Sequence, residues 1–315
     1  MKIIITGACG FIGFHLSKKL LEQNHSILGI DSLNDYYDVS LKEKRLRKLR
    51  ESKKFEFFKL SLNDVKEIEA IFKNFRPNIV INLAAQAGVR YSEINPNAYI
   101  DSNILGFLNI LKLSLNYQID KLIYASSSSV YGDNSKAPFK ENHLLNPISL
   151  YGKTKLSNEL IAEEFSKLSS IQFIGLRFFT VYGPYGRPDM AYYKFSQKIQ
   201  KKEKITLYNK GNMSRDMTYV DDIVNGIVLS IDKKIFETSH EIFNLGNTHP
   251  ISTIDLIKII ERRYKRKALI SHKSSENEVF ITHADITKSQ KILGYKPVTN
   301  LVDGMYNFFE WLDQM

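Results

Sequence analysis

A glycine-rich turn near the start of the chain limits the possible folds more than any other feature of the sequence. Residues 7–13 read Gly-Ala-Cys-Gly-Phe-Ile-Gly, between an apolar run at 2–6 and an amphipathic stretch at 11–23. A strand, a glycine turn and a helix in this order begin a βαβ unit whose backbone can approach a pyrophosphate closely. The order therefore predicts an α/β fold that binds a dinucleotide. The residues expected at this site are Gly7, Gly10, Phe11, Ile12 and Gly13.

Apolar runs alternate with helical patterns over the first 180 residues. We expect strands at 2–6, 26–30, 55–59, 78–82, 121–125 and 171–178, and helices at 11–23, 64–75, 97–116 and 151–168. Strands separated by helices form a parallel sheet, and right-handed crossovers place helices on both of its faces. The runs are rich in Ile, Val and Leu, which is typical of strands that are buried on both sides. The pattern predicts a doubly wound (Rossmann) parallel sheet.

The pattern changes after residue 180. Turn-forming residues cluster at 183–188, and shorter mixed segments follow, with helices expected at 221–231, 253–264 and 302–312. A chain of 315 residues is long enough for two domains. We expect a dinucleotide-binding domain at 1–180 and a smaller mixed α/β substrate domain at 181–315. Whether a segment at about 216–245 returns to the first domain is left open.

Much of the net charge of +10 comes from two basic segments. Residues 42–54 hold eight bases and two acids, and residues 262–267 hold five bases. Such segments can bind nucleic acid. However, Leu41, Leu46 and Leu49 form an apolar stripe under the first segment, and no aromatic residues are interleaved for base stacking. We interpret residues 42–54 as a solvated helix face and expect no nucleic-acid partner.

The sequence also bears on disulfides, metals and membranes. Cys9 is the only cysteine, which excludes an intrachain disulfide, and there is no Cys/His cluster of the kind that binds zinc. No apolar run approaches the ~20 residues needed to span a bilayer, and the first residues lack the pattern of a signal peptide. We expect no metal, no membrane association and a cytoplasmic location.

Asp31 follows the second expected strand, roughly 20 residues beyond the glycines. A carboxylate at this position can accept hydrogen bonds from both hydroxyls of an adenosine ribose, and it repels a 2′-phosphate. An aspartate can also cap the turn that follows it, but the spacing from the glycines favours the ribose role. The sequence predicts NAD rather than NADP.

Tyr151 and Lys155 lie four residues apart and share one face of an expected helix. A nearby ammonium and a positive nicotinamide ring would lower the phenol pKa, which is ordinarily near ~10, so that Tyr151 can act as a base. Alone, this pair is a common coincidence. A run of serines at 126–129 also ends the fifth strand, where doubly wound sheets bind ligands. A serine-rich turn is the alternative, but together these features predict a hydroxyl relay to Tyr151.

The glycine turn, Asp31, the serine run and the Tyr151/Lys155 pair together resemble the extended short-chain dehydrogenase/reductases, in the NAD-dependent epimerase/dehydratase family. The resemblance covers nearly the whole chain, and segments 36–42, 85–92 and 180–191 resemble UDP-glucuronate 4-epimerases. The related 4,6-dehydratases carry an Asp-Glu pair where this chain has Ser128 and Ser129, which cannot act as carboxylic acids. The resemblance implies that UDP-glucuronate and UDP-galacturonate are interconverted through a 4-keto sugar with bound NAD.

The resemblance also implies roles for individual residues. Those implied to be catalytic are Ser127, Tyr151 and Lys155. Those implied to contact NAD are Gly7, Gly10, Phe11, Ile12, Gly13, Asp31, Leu62, Leu83, Ala84, Ala85, Tyr151 and Lys155. Those implied to contact the UDP-sugar are Arg90, Ser127, Ser128, Ser129, Tyr151, Thr180, Arg187 and Arg215. A homodimer that pairs the helices at 97–116 and 151–168 is implied as well.

Alternatives stay open on the sequence alone. The same chemistry can act on UDP-glucose or UDP-N-acetylglucosamine, and decarboxylation or dehydration are further possibilities. A protein that senses NAD or binds nucleic acid through residues 42–54, without catalysis, is a different class. The chain departs from the family pattern at Phe14, at Ser61 and at 277–279, which bear on the cofactor and on the nucleotide base. Arg187 can also be an ordinary loop arginine.

Overall fold

The computed structural model describes residues 1–133, 136–232, 238–273 and 279–315. Its strands are Lys2–Thr6 (β1), Ser26–Asp31 (β2), Phe55–Lys59 (β3), Ile79–Asn82 (β4), Lys121–Ser127 (β5), Gln172–Phe178 (β6), Thr180–Tyr182 (β7), Lys204–Tyr208 (β8), Ser214–Tyr219 (β9), His240–Leu245 (β10), Pro250–Ser252 (β11), Leu269–Lys273 (β12) and Ile281–Thr282 (β13). Its α-helices are Phe11–Glu22 (α1), Val39–Leu49 (α2), Val65–Phe75 (α3), Tyr91–Ile94 (α4), Pro96–Tyr99 (α5), Gly106–Asn116 (α6), Leu150–Ser166 (α7), Ala191–Gln200 (α8), Val220–Asp232 (α9), Thr253–Tyr264 (α10), Thr287–Leu293 (α11) and Leu301–Asp313 (α12).

Seven parallel strands form the main sheet, in the order β10-β6-β5-β4-β1-β2-β3. The chain starts in the middle at β1, moves outward to β3, and then crosses over to β4 on the other side of β1. Ligands bind doubly wound sheets at such a switch point, beyond the carboxyl ends of the strands. The predicted Rossmann-type sheet is confirmed.

The central strand shows why the sheet is covered on both faces. Ile3, Ile4 and Ile5 in β1 are all completely buried. Because alternate side chains of a strand point to opposite faces, Ile3 and Ile5 pack with residues of α1 and α2, whereas Ile4 packs with residues of α3 and α6. This two-sided burial holds the carboxyl ends of the central strands in place.

The expected single helix at 97–116 is in fact three segments. The α5 and α6 helices are separated by a π-helical stretch at Ile100–Leu105. Asn103 in this stretch is buried, and its side chain bonds to the backbone N–H and carbonyl of Gln86, at 2.8 and 3.0 Å, and to the hydroxyl of Thr154 at 3.0 Å. The wider turn thus brings one amide into contact with two other segments, which hydrophobic periodicity does not reveal.

The basic segment at 42–54 also differs from its prediction. The α2 helix covers only its first part, and Leu41, Leu46 and Leu49 are buried, as the apolar stripe predicted. However, Lys42 and Arg45 are buried too, with Arg45 completely inaccessible. The interpretation of the whole segment as a solvated face is therefore wrong for these two residues, because their polar ends find hydrogen-bond acceptors inside the protein.

The later part of the chain contributes to the main sheet and to a smaller one. The β10 strand pairs in parallel with β6 at the edge of the main sheet. The β9 strand instead pairs with β7, β11 and β13. The sequence left open whether residues 216–245 return to the first domain. The two strands in this region lie in different sheets: β10 is in the main sheet and β9 is in the smaller one. The domain division at residue 180 stays a prediction.

A buried lysine at the far end of β5 makes stability dependent on pH. Lys121 is 6 % exposed, and its ammonium donates hydrogen bonds to the carbonyls of Ser230 at 2.9 Å and Ile231 at 2.8 Å. Burial lowers the pKa of Lys121 to about 8. The unfolded chain, in which a lysine titrates near ~10.4, therefore binds more protons between pH 8 and 10. The free energy of unfolding should rise there, by up to about 1.4 kcal/mol per pH unit from this group.

We expect the substitution Lys121→Met to remove this contribution. Urea unfolding of both proteins at pH 8, 9 and 10 would measure it as a smaller rise in the free energy of unfolding for the variant. Lys112→Met, which removes an exposed lysine of α6, is the matched control and should keep the rise. Equal slopes for the wild type and Lys121→Met would contradict the prediction.

Candidate active site

A cleft of about 800 Å³ opens beyond the carboxyl ends of β1, β4 and β5. Every residue to which the sequence analysis gave a site role lines this cleft. They are Gly7, Gly10, Phe11, Ile12, Gly13, Asp31, Leu62, Leu83, Ala84, Ala85, Arg90, Ser127, Ser128, Ser129, Tyr151, Lys155, Thr180, Arg187 and Arg215. The topology therefore brings together residues that are far apart in the sequence.

The glycine turn is shaped so that larger side chains do not fit. Gly7 has a φ of +69°, and a Cβ atom on it would lie 2.8 Å from the backbone nitrogen of Ala84. A Cβ atom on Gly13 would lie 2.1 Å from the carbonyl oxygen of Gly7. The α1 helix then begins at Phe11, and its first N–H groups have no acceptor within the helix. This cradle of bare backbone at a helix N-terminus fits the pyrophosphate of a dinucleotide.

Asp31 connects the glycine turn to the next loop. Its Oδ2 accepts a hydrogen bond from the backbone N–H of Cys9 at 3.0 Å, and its Oδ1 accepts one from the N–H of Leu33 at 2.9 Å. The second contact caps the turn that follows β2, so Asp31 does have the turn-capping role that the sequence analysis named as the alternative. Each carboxylate oxygen can still accept a further bond from the cleft, which a ribose hydroxyl could supply.

The first turns of α7 carry Tyr151 and Lys155. Ser149 caps the helix by accepting a hydrogen bond from the N–H of Gly152 at 3.0 Å. Lys155 is 3 % exposed, donates to the carbonyl of Ala125 at 3.0 Å, and has its ammonium 6.0 Å from the centre of the Tyr151 ring. The helix thus places a phenol and an ammonium side by side in the cleft.

Burial is the largest influence on the pKa values of this pair. Burial raises the pKa of Tyr151, while a hydrogen bond with Ser127 and the positive charge of Arg187 act in the opposite direction. Burial also lowers the pKa of Lys155 to about 8. In the protein alone, desolvation therefore dominates, and the charge that lowers the Tyr151 pKa is that of Arg187 rather than that of Lys155. The predicted joint effect of the Lys155 ammonium and a positive nicotinamide ring stays a prediction.

The serine run divides into two groups. Ser127 donates to the hydroxyl of Ser129 at 3.2 Å, and it accepts a bond from the Ser129 N–H at 3.2 Å. Ser126 instead donates to the carboxylate of Glu159, which forms a buried ion pair with Arg177 at 2.8 Å. The hydroxyl cluster near Tyr151 therefore consists of Ser127 and its neighbours, while Ser126 contacts a buried ion pair.

Arg187 has a partner that the sequence analysis did not identify. Its guanidinium forms two parallel hydrogen bonds to Asp189, at 3.0 and 2.5 Å, and is about a fifth exposed (22 %). Tyr36 also donates its hydroxyl to Asp189 at 3.2 Å. A spacing of two residues between opposite charges in a loop is compatible with such a pair but does not predict it. Arg187 thus lines the cleft and is also paired within its own loop, so its role as a substrate contact stays a prediction.

Two further arginines line the cleft. The Arg90 guanidinium lies over the ring of Tyr208, 3.7 Å from its centre. Arg215 donates to the carbonyl of Ser214 at 3.0 Å.

Three tyrosines connect to Tyr151 through ring contacts. Tyr36 contacts Tyr91, Tyr91 contacts Tyr99, and Tyr99 contacts Tyr151, with the Tyr99 and Tyr151 ring centres 6.2 Å apart. Sequence reasoning had assigned no role to these three tyrosines.

Phe14, Ser61 and Val279 are residues at which the chain departs from the family pattern, and they have different surroundings in the structure. Phe14 is 2 % exposed and packs against Tyr185, with ring centres 4.9 Å apart, so that its bulk fills the core and does not crowd the cofactor side. Ser61 lines the cleft and donates its N–H to Asp64 at 2.7 Å. Residues 277 and 278 lie outside the described residues, whereas Val279 lines the cleft.

Within residues 1–133, 136–232, 238–273 and 279–315, no three His, Cys, Asp or Glu side chains are arranged to hold a metal ion. Over the same ranges, no helix combines the length and the apolar character that crossing a membrane requires.

Comparisons with known proteins agree with this geometry. The sequence model of the NAD dependent epimerase/dehydratase family matches residues 3–246. An uncharacterized protein of Methanocaldococcus jannaschii is 47 % identical over 98 % of this chain and 95 % of its own length. UDP-glucuronate 4-epimerase 4 of Arabidopsis thaliana is 42 % identical over 98 % of this chain and 74 % of its own. The crystal structure of a Bacillus cereus UDP-glucuronic acid 4-epimerase, in complex with UDP-glucuronic acid and NAD, superimposes with a TM-score of 0.95 at 33 % identity, over 100 % of this chain and 99 % of that one.

Proposed function

Because the chain belongs to the NAD dependent epimerase/dehydratase family, we propose that it is a UDP-glucuronate 4-epimerase, which interconverts UDP-glucuronate and UDP-galacturonate. One observation carries the choice of sugar. Arg187, whose positive charge acts on Tyr151, lines the same cleft as Ser128, Ser129 and Thr180, and a sugar carboxylate would need such donors and positive charge. The similarity to UDP-glucuronate 4-epimerases of Arabidopsis thaliana and Bacillus cereus supports the same substrate.

NAD fits the other end of the cleft. The cradle around Gly7 and Gly13 accepts a pyrophosphate, and Asp31 lines the cleft where an adenosine ribose would lie. The chemistry that NAD supplies when bound is the acceptance and return of a hydride. Because the hydride is returned, the reaction involves no net oxidation.

The proton chemistry is assigned to Tyr151 and Ser127. In its phenolate form, Tyr151 takes the proton of the sugar 4-hydroxyl onto its Oη atom and gives it back when the 4-keto sugar is reduced from the other side. The hydrogen bond with Ser127 orients Oη, and Arg187 favours the phenolate form. Lys155, one helical turn away, adds positive charge 6.0 Å from the ring in its protonated form. Arg215 would hold the diphosphate while the sugar turns.

A 4-epimerase that acts on a uronate has to prevent the loss of carbon dioxide from its intermediate. Oxidation at carbon 4 of a glucuronate gives a β-keto acid, which loses carbon dioxide when the carboxylate bond aligns with the ketone π system. Donors from Ser128, Ser129 and Thr180, together with Arg187, can hold the carboxylate away from that alignment. We infer that the same groups recognise the substrate and restrain it.

Incubation of the NAD-loaded protein with UDP-glucuronate, followed by proton NMR of the sugars, tests the proposal. Appearance of UDP-galacturonate is the expected result. A UDP-pentose with released carbon dioxide would reassign the protein as a decarboxylase. Turnover of UDP-glucose or UDP-N-acetylglucosamine alone would change the sugar and keep the class. Salt-dependent RNA binding without any turnover would contradict the enzymatic assignment.

We predict that Asp31 sets the preference for NAD over NADP. Replacement of Asp31 by serine removes the charge that repels a 2′-phosphate, so the ratio of the NADP Kd to the NAD Kd should fall at least about tenfold. Calorimetric titration of both cofactors measures this ratio. The exposed Asp35 lies near the same loop, and Asp35→Ser is the control that should leave the ratio unchanged. An unchanged ratio in Asp31→Ser would rule out this role.

We further propose that the chain forms a homodimer through the helical region at 97–116 and α7. Leu105 and Leu160 in this region are 46 % and 58 % exposed, although both are large and apolar. Leu160→Glu should shift sedimentation velocity profiles from dimer to monomer, because it places a charge in an apolar contact. Val298→Glu changes another exposed apolar residue and should stay dimeric. A monomeric wild type would exclude this proposal.

The cytoplasmic location of the protein, which the sequence analysis expected, stays a prediction.

A further inference from the structure

Arg45 in α2 has a role that the proposed reaction does not yet use. Its side chain is completely buried. Its guanidinium donates to the carbonyl of Cys9 at 2.8 Å, the hydroxyl of Tyr37 at 2.7 Å and the carbonyls of Tyr185 and Gly186 at 2.6 and 3.2 Å. Over the described part of the chain, no carboxylate lies within ion-pair distance of it. Arg45 is thus a buried cation held by oxygen dipoles.

The partners of Arg45 belong to both halves of the cleft. Cys9 lies inside the glycine turn, between Gly7 and Gly10. Tyr185 and Gly186 directly precede Arg187 in the loop that faces the sugar end. One guanidinium therefore connects the backbone of the proposed cofactor cradle to the backbone that carries the proposed carboxylate contact.

The loop before Arg187 depends on such contacts. Tyr185 has a φ of +54°, a left-handed conformation that a tyrosine adopts at a cost in energy. The only other side-chain bond to a carbonyl in residues 184–186 that the described structure records comes from His15, whose Nε2 is 2.9 Å from the Pro184 oxygen. The fork of Arg45 is therefore one constraint on the backbone of this loop, and the packing of the Tyr185 ring against Phe14 and Trp311 is another.

Burial of the Arg45 guanidinium costs free energy of folding. A guanidinium without a carboxylate partner loses its hydration, and its Nε has no hydrogen-bond partner in the described structure. An apolar side chain of similar volume would avoid that cost but could not span Cys9 and Tyr185. A lysine carries one ammonium and lacks the planar fork that reaches both segments.

We propose that Arg45 is a positioning residue that aligns the Arg187 loop with the glycine turn, and that it thereby determines the preference for a charged sugar. This inference rests on the proposed function, because it takes Arg187 as the contact of the substrate carboxylate. UDP-glucose differs from UDP-glucuronate only at carbon 6 of the sugar. The ratio of the UDP-glucose Kd to the UDP-glucuronate Kd therefore reports on this contact.

The test measures that ratio by calorimetry on NAD-loaded proteins. Arg45→Met should lower it about tenfold, as expected when a charge-assisted hydrogen bond is misaligned. Arg45→Lys should lower it less, since an ammonium can still bond to a carbonyl of one of the two segments. In an Arg187→Met background, adding Arg45→Met should change the ratio less than about twofold, because Arg45 acts through Arg187.

Lys121→Met is the matched control. Lys121 is also a buried cation bonded to two carbonyls, but it lies at the opposite end of β5 from the cleft. This variant should leave the ratio unchanged. An unchanged ratio in a folded Arg45→Met, or the same fall with and without Arg187, would overturn the inference. If Arg45→Met does not fold, an unchanged ratio in Arg45→Lys would overturn it equally. Failure of the proposed function is distinguishable, since the wild type would then form no UDP-galacturonate.

Discussion

Replacement of Tyr151 by phenylalanine is expected to lower kcat for UDP-glucuronate at least about 10³-fold, since general acid–base groups contribute roughly 10²–10⁴-fold. The change removes only the Oη atom. This atom is hydrogen-bonded to Ser127 and is the one proposed to carry the proton. The ring contact with Tyr99 and the capped start of α7 stay in place. The Kd for NAD should therefore change little. The measurements are initial rates by NMR and calorimetric titration of NAD.

Tyr99→Phe is the matched control for this prediction. Its ring lies 6.2 Å from that of Tyr151, but its hydroxyl donates to the backbone carbonyls of Ala87 and Gly88. Loss of this hydroxyl should affect stability more than kcat. If Tyr151→Phe kept a rate close to that of the wild type, Tyr151 would not be the base. If Tyr99→Phe lost as much activity as Tyr151→Phe, the loss could not be assigned to proton transfer.

Replacement of Arg187 by methionine is expected to lower kcat/KM for UDP-glucuronate about 10²-fold, because a guanidinium–carboxylate contact would be lost. Affinity for UDP-glucose should change much less, since that sugar has no carboxylate. A small further fall in kcat is expected, because the Arg187 charge also favours the phenolate form of Tyr151. Steady-state rates and Kd values for both nucleotide sugars measure the effect.

The comparison variant here is Arg215→Met. The proposed contact of Arg215 is the diphosphate, which both nucleotide sugars share. We therefore expect this variant to weaken UDP-glucuronate and UDP-glucose by similar factors. Equal losses for both sugars in Arg187→Met would show that Arg187 does not distinguish the carboxylate.

Much of the fold is predictable from the sequence because its signals are local. The β1 strand occupies the predicted residues, Lys2–Thr6, since a short apolar run is bounded by the first glycine. The α10 helix likewise begins and ends as predicted, at Thr253–Tyr264, because Ser252 caps it and hydrophobic positions recur at helical spacing. The candidate site residues meet in one cleft because the carboxyl ends of parallel strands share one edge.

The unpredicted features depend on the folded conformation of the chain, which local sequence patterns do not report. In the sequence, Arg45 resembles a surface base. Its burial depends in part on the carbonyls of Cys9 and Tyr185, which lie 36 and 140 positions away. The pKa of Tyr151 follows from how deeply the folded chain covers the phenol, which spacing on a helix does not report. The Arg187–Asp189 pair requires a particular loop conformation.

The position of β10 bears on how the protein is made. This strand, His240–Leu245, covers the edge of β6. Until the ribosome has passed that point, a nascent chain exposes β6 as an open edge, and open edges attract other chains. The main sheet can therefore be completed only after Leu245 has emerged, 67 residues after the end of β6 at Phe178. Release of residues 1–180 as an isolated fragment would leave a surface prone to aggregation.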